Sequence, residues 1–263
     1  MKRSLLTLLL FTYWLSACSQ AYNGKKIGHV EPLQLDLIQD LDARNGDKEF
    51  EVDMETDMQR QYNELNFSLE YEQAIAERLG FEVQLPFSFY QPKSNPVPGE
   101  ELPKNRMEGL KLGLQYTVAV LPAVQTSVAV AITHETYFHS FRTMKQKGGI
   151  MKGSSENIAL IAAKRWGRHF HTMIHTNYEW MNLTGNKGNS YINHDISIHY
   201  QFERRYVLGL EYICRNNIKE EATIYPQARL ALNKLAECTL AAQIPVDKTK
   251  EGIHFLVGLE IKL

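Results

Sequence analysis

The sequence predicts an all-β fold that crosses a membrane: an antiparallel up-and-down β-barrel of about twelve strands, with a short N-terminal helical segment ahead of it. Three observations predict it. From residue 49 to the C-terminus, stretches of about ten residues alternate apolar with polar side chains, long enough for a tilted strand to cross a bilayer core. The connections between these stretches alternate short and long, as periplasmic turns alternate with external loops. A secretion leader precedes them.

The leader covers residues 1–21. Lys2 and Arg3 give it a positive start, and the apolar run 5–15 is too short to span a bilayer. Ser19-Gln20-Ala21 suits an ordinary signal peptidase and would make Tyr22 the mature start. Leu15-Ser16-Ala17-Cys18 matches a bacterial lipobox, which would leave Cys18 as a lipidated terminus. Both cleavages stand open. No later stretch reaches the roughly 18 consecutive apolar residues of a transmembrane helix.

Residues 22–48 form the next unit. Pro32 suits a first helical turn, and Leu33, Leu37, Ile38 and Leu41 recur at helical spacing. A short amphipathic helix is expected. It either plugs the barrel from the periplasmic side or lies beneath it as a leader ordered by the turns.

Residues 49–263 are the barrel. Stretches 110–118 and 253–261 are clear copies of the alternating pattern. Short connections fall at 76–79, 121–125, 167–168, 203–205 and 233–236. Long ones, rich in Gly, Pro, Asn and Lys, fall at 91–107, 141–155, 182–189, 216–221 and 245–252, with a first loop near 57–61. This gives twelve strands, an even number as bacterial single-chain barrels require, and places both termini in the periplasm.

Parity sorts the two faces. Leu65, Phe67 and Leu69, then Phe81, Val83 and Leu85, then Ile192, Ile196 and Ile198 share the side assigned to lipid. Phe89, Phe138, Tyr178 and Trp180 suit one interfacial girdle, and Trp166, Phe170, Phe202 and Tyr206 the other. The opposite parity assigns Lys111, Gln115, Glu135, Arg165, His171, His175, Glu179, Asp195, His199, Glu211, Arg215, Arg229 and Glu260 to a polar lumen. Pro86 and Pro226 interrupt assigned strands and are expected at bulges. His194 and Lys164 fall on lipid parity, against the pattern. A soluble secreted β-protein shows the same alternation with the faces reversed. The leader, the asymmetry of the turns and the strand ending at the C-terminus favour the barrel.

Composition narrows the partners. With 263 residues, 22% charged and a net charge of −1, nothing points to nucleic acid. Cys214 and Cys238 stand at opposite barrel ends on lipid parity, so no disulfide is expected. No cofactor is implied. The partners expected are outer-membrane lipid, the barrel-assembly machinery and a small solute.

The run His29-Val30-Glu31-Pro32-Leu33-Gln34-Leu35-Asp36 resembles the motif that names the HAEPLYID family, found mainly in Bacteroidetes, with departures at Val30, Gln34 and Leu35. His29, Glu31, Pro32 and Asp36 carry the match. The resemblance continues through Asp40-Leu41-Asp42-Ala43-Arg44, Arg78-Leu79-Gly80-Phe81, Asn105-Arg106-Met107-Glu108-Gly109 and Ile161-Ala162-Ala163-Lys164-Arg165-Trp166-Gly167. It implies an outer-membrane barrel and supplies no activity. A purine-biosynthesis synthase name borne by some members finds no phosphate-binding loop here.

Candidate chemistry is sparse. Asn105, Arg106 and Glu108 close the longest loop and pin it to the rim, gate a pore or bind a ligand. His171, His175, Asp195 and His199 share lumen parity on neighbouring strands. Residues four apart on a strand lie about 13 Å apart, so a solvated network is expected rather than a metal site. The passive reading is a narrow pore or a structural barrel. The alternative is an outer-membrane hydrolase such as a lipase. That needs a serine beside a histidine on the lipid side. His134 has that parity, but Ser127 does not.

Overall fold

Alternation of polar and apolar side chains leaves each strand with one face for hydrocarbon and one for the interior. The wall must then close, because an unpaired strand edge in lipid strands its backbone N–H and C=O groups. The computed structural model describes residues 27–33, 37–41, 43–58, 61–93, 102–140, 149–183, 188–203, 205–216, 221–246 and 253–263. The expected leader with Cys18, and Asp36 of the motif, lie outside these residues.

Twelve strands form the wall: β1 Lys48–Met58, β2 Tyr62–Ala76, β3 Leu79–Pro92, β4 Gly109–Leu121, β5 Thr126–Phe138, β6 Met151–Trp166, β7 Phe170–Leu183, β8 Asn189–Phe202, β9 Tyr206–Asn216, β10 Glu221–Ala231, β11 Ala236–Pro245 and β12 His254–Lys262. A two-residue bridge, Arg106–Met107, precedes β4. Each strand pairs antiparallel with the next, and β1 pairs with both β2 and β12, so the sheet closes. One end carries tight turns. Arg78, Gln125, Gly167 and Glu203 adopt positive φ there, as short reversals require. The other end carries the longer loops. The largest departure from the expected boundaries is in β6, which reaches back to Met151, taking residues 151–155 from the loop to pair with β5.

Side-chain exposure follows parity. Leu114, Ile132, Ile158, Ile174, Ile196 and Leu210 point outward and are exposed. Gln115, His171, His175, His199 and Glu211 point inward and are buried. The girdle residues Phe89, Trp180, Trp166, Phe170, Phe202 and Tyr206 are likewise exposed outward. Cys214 and Cys238 form no disulfide.

Both strand prolines sit where the ladder breaks. β3 pairs with β4 as Gln84↔Lys111 but with the bridge as Phe87↔Met107, a one-residue slip opposite Pro86. Glu108 N–H donates to Pro86 O at 2.8 Å across that slip. Pairing of β10 with β11 skips residues 225 and 226 between Ile224↔Ile244 and Gln227↔Ala241, without a change of register. A missing N–H accounts for both interruptions. Gly109 completes the first: a Cβ there would stand 2.2 Å from Thr136 O, so only glycine fits.

The N-terminal segment enters the barrel. Leu37, Ile38 and Leu41 pack with Ala129, Ala131, Ala159, Ile161, Ala163 and Met173 of the inner wall in one buried apolar cluster. The described residues 37–41 are bends and a turn rather than helix, while 34–36 and 42 lie outside the described set. The wall explains this local form. The Gln115 side chain accepts the Ile38 N–H at 3.3 Å and donates to Gln39 O at 2.6 Å, taking groups a helix would use internally.

The face assignment is directly testable. Leu114→Arg places a charge on the lipid side and is expected to destabilise the barrel by about 2–4 kcal/mol. Gln115→Arg is expected to fold with near-normal yield in lipid vesicles, since the interior accommodates polar groups. Equal loss of heat-modifiable folded protein in both variants would overturn the assignment.

Candidate functional site

The lumen is the candidate site, and it divides into two parts. Toward the short-turn end, residues 27–33, 37–41 and 43 fill it. Toward the long-loop end, a cavity of about 620 Å³ remains above them.

The filled part rests on a floor of small residues. A Cβ on Gly113 would lie 2.7 Å from Ile38 Cδ1, one on Gly258 2.8 Å from Leu33 Cδ1, and one on Gly80 2.7 Å from Gln39 Cβ. Any larger side chain at these wall positions would collide with the segment. Burying Leu37, Ile38 and Leu41 contributes roughly 1.5–3 kcal/mol each before the cost of ordering the chain.

Polar wall side chains then grip the segment's main chain. His171 Nδ1 accepts the Val30 N–H at 3.3 Å, Gln227 Oε1 accepts the Leu33 N–H at 3.0 Å, and Arg229 donates to Glu31 O at 2.9 Å. His29 Nε2 and Ser127 Oγ lie 2.9 Å apart, and Gln39 donates to Glu72 at 3.4 Å. Beyond the segment, Arg78 N–H donates to Ala43 O, and Gly46 N–H to Ala74 O, fixing its exit into β1. Burial above all pushes the His29 imidazole down to about 4, with His171 and Arg165 adding to the effect and Asp40 opposing it. Burial, then Asp40, Glu260 and Glu49, holds the Glu31 carboxyl well above its ordinary value, against the pull of Arg229.

The cavity above is acidic. Glu31, Glu49, Glu51, Asp53, Glu55, Glu70, Glu72, Glu108, Glu135 and Glu260 line it, against the bases Lys111, Lys152 and Arg229. Some charge is neutralised locally. Lys111 pairs with buried Glu82 at 3.0 Å, and Arg229 with Glu237 at 3.4 Å and Glu260 at 3.7 Å. Lys262 reaches Glu260 at 3.2 Å and Glu49 at 3.5 Å. His254 lies between Glu55 and Asp57 at 3.1 and 3.2 Å.

The remaining lumen candidates scatter along the wall. His175 and Asp195 share a hydrogen bond of 2.9 Å between β7 and β8. His199 packs against Gly209, and Glu211 accepts from Gln227 at 3.2 Å. Arg215 donates to Asn193 at 3.2 Å and stacks over Tyr191. Arg165 folds over the short turn onto Gly167 O at 3.1 Å, and Glu179 stands opposite Asn157 in the ladder. Among the described residues, no three His, Cys, Asp or Glu side chains are placed to hold a metal. At the rim, Asn105 Oδ1 accepts the Tyr90 N–H at 2.7 Å, Arg106 pairs with Glu108 at 2.7 Å, and the Arg106 guanidinium lies over the Tyr90 ring. These contacts fasten the loop to β3.

Sequence reasoning missed the floor. Ala129, Ala131, Ala159, Ile161, Ala163 and Met173 share lumen parity. A row of small and apolar residues on a side meant for water was the signal that something apolar fills it.

Several solved structures share the fold, among them the following. The KdgM porin superposes with a TM-score of 0.56 at 10% identity, over 81% of this chain and 99% of that one. The COG4313 outer membrane channel from Pseudomonas putida F1 gives 0.61 at 9% identity, over 89% and 100%. The NanC porin gives 0.55 at 8%, over 81% and 100%. These relatives are porins and channels, and at such identity the likeness concerns architecture alone: a membrane-spanning barrel of the outer-membrane type. No curated protein matches the sequence. The family model described as HAEPLYID-like matches residues 25–260, almost the whole barrel with its inserted segment, and the chain belongs to that family.

Proposed function

We propose that this protein is a porin-like conduit of the outer membrane, restricted at rest by the N-terminal segment seated in its lumen and selective for cations. The short turns and both termini face the periplasm in this reading, and the acidic cavity opens outward. The observation that carries it is the seating of Leu37, Ile38 and Leu41 on a floor of glycine and alanine at lumen parity. A purely structural barrel has no need of a wall shaped around a removable segment.

The acidic cavity sets the sign of the solute. A cavity lined by carboxylates in low-dielectric walls concentrates cations and repels anions. The KdgM porin has been observed with disordered oligogalacturonate. A polyuronate of that kind would meet repulsion here, so small cationic or neutral solutes fit better. The hydrolase alternative gains nothing: Ser127 is fully buried, faces the lumen and is tied to His29.

Deleting residues 28–44, with the leader and its cleavage region kept, is expected to leave a folded barrel of larger single-channel conductance in planar bilayers. Conductance no greater than that of the intact protein would remove the plug reading. In the deleted form, Glu51→Gln combined with Asp53→Asn is expected to move the reversal potential in a salt gradient toward zero. An unchanged reversal potential would show that the cavity does not set selectivity.

Acid should loosen the segment through His29. Docked, the imidazole titrates at about 4; released, near its ordinary 6.5. Between those values the released form binds the extra proton, so docking weakens as pH falls through that window. The cost is at most about 1.4 kcal/mol per pH unit, less where the ring stays solvated. Glu31 works in the opposite direction, since protonation relieves its buried charge. His29→Gln is therefore expected to abolish or reverse a rise in conductance on acidification between 6.5 and about 4. The same acid response in that variant would assign it elsewhere.

A further inference from the structure

The outward wall carries few ionisable side chains, and these gather on one side. Among the described residues, setting aside Lys48 at the very start of β1, the acidic and basic side chains of outward parity are His134, Glu156, Lys164 and His194, all on β5, β6 and β8. Lys164 is accounted for at the rim, where it donates to Val124 O at 2.8 Å and lies over Trp166. The other three are not near a short turn. His134 Nδ1 and Glu156 Oε1 lie 2.6 Å apart on paired positions of β5 and β6. His194 stands in the interior of β8, bonded to Thr176 on β7 at 3.1 Å. An ionisable residue facing hydrocarbon is costly, and such residues are retained where they meet a polar partner.

We propose that the face formed by β5–β8 binds a second copy of this chain within the membrane, as a two-fold dimer. Charge complementarity selects this occupant. The His134–Glu156 pair presents one base and one acid side by side. An anionic lipid headgroup would meet the Glu156 carboxylate as well as the imidazole. A second copy inserted in the same direction, related by an axis along the membrane normal, brings each height of the wall against the same height of its partner. His134 and Glu156 are cross-strand partners and stand at nearly one height. Each carboxylate then faces the other copy's imidazole.

Cysteine cross-linking in native membranes tests this. In a Cys214→Ala, Cys238→Ala background, Ile158→Cys on β6, which lies between the two polar pairs, is expected to give a disulfide-linked dimer under mild oxidation. Phe255→Cys on β12, half the barrel away and equally exposed, is expected to give none. Adding His134→Leu, Glu156→Leu and His194→Leu to the Ile158→Cys protein is expected to abolish the dimer while heat-modifiability is kept. No adduct at either position, or adduct at both alike, overturns the proposal. So does persistence of the dimer in the leucine variant. Monomers that retain bound lipid on this face would assign it to lipid instead. Should the leucine variant fail to fold, the two single-cysteine proteins still decide.

Discussion

Satisfaction of the backbone in hydrocarbon is the constraint on which the rest depends. Each outward-facing strand can meet lipid only if every N–H and C=O has a partner, and in a sheet that means closure. Here closure is made by β1 between β2 and β12. A closed wall of twelve strands encloses more space than its own inward side chains fill, because barrel diameter grows with strand number. The interior must then be wet, ion-paired or occupied. This chain uses all three: carboxylates around a cavity, Lys111–Glu82 and Arg229–Glu260 as internal pairs, and a folded-back segment as filler.

The segment and the wall are matched in kind. Against the apolar Leu37, Ile38 and Leu41, the wall offers alanine, glycine, Ile161 and Met173. Where residues 29–33 cross the lumen, the wall offers His171, Gln227 and Arg229. The apolar contact supplies most of the holding energy, since neutral hydrogen bonds exchanged with water contribute only about 0.5–1.5 kcal/mol net each. The polar contacts instead fix the path of the chain, because a buried main-chain group left without a partner would cost more than the bond returns.

Much of this was legible in the sequence because a barrel wall obeys one rule, period two, along nearly its whole length. Strand number, the faces and the short turns follow from it. The two prolines were exceptions expected at bulges: Pro86 sits at a register slip, whereas Pro226 interrupts the pairing without one. Two things did not follow. The spacing of Leu33, Leu37, Ile38 and Leu41 suggested a helix, but the described bends at 37–41 have their hydrogen bonds drawn off by Gln115, a residue of β4 that is remote in sequence. Local periodicity carries no information about such a partner. The site itself was half-legible. Parity placed Arg229, His171 and Gln115 in the lumen. It could not show that they hold backbone rather than solute.

The same geometry gives the family motif a physical meaning. Most cross-lumen bonds use main-chain atoms of the segment: Val30 N, Glu31 O, Leu33 N, Ile38 N and Gln39 O. A wall that grips backbone tolerates substitution along the segment wherever the side chain still fits, which is consistent with valine at position 30. The positions held by their side chains are different. His29 meets Ser127, and the leucines and isoleucine meet a floor cut to their size. Specificity therefore resides as much in the wall as in the motif. Gly113 is the clearest case, since any larger residue there would push Ile38 away and loosen the seat without touching the barrel ladder.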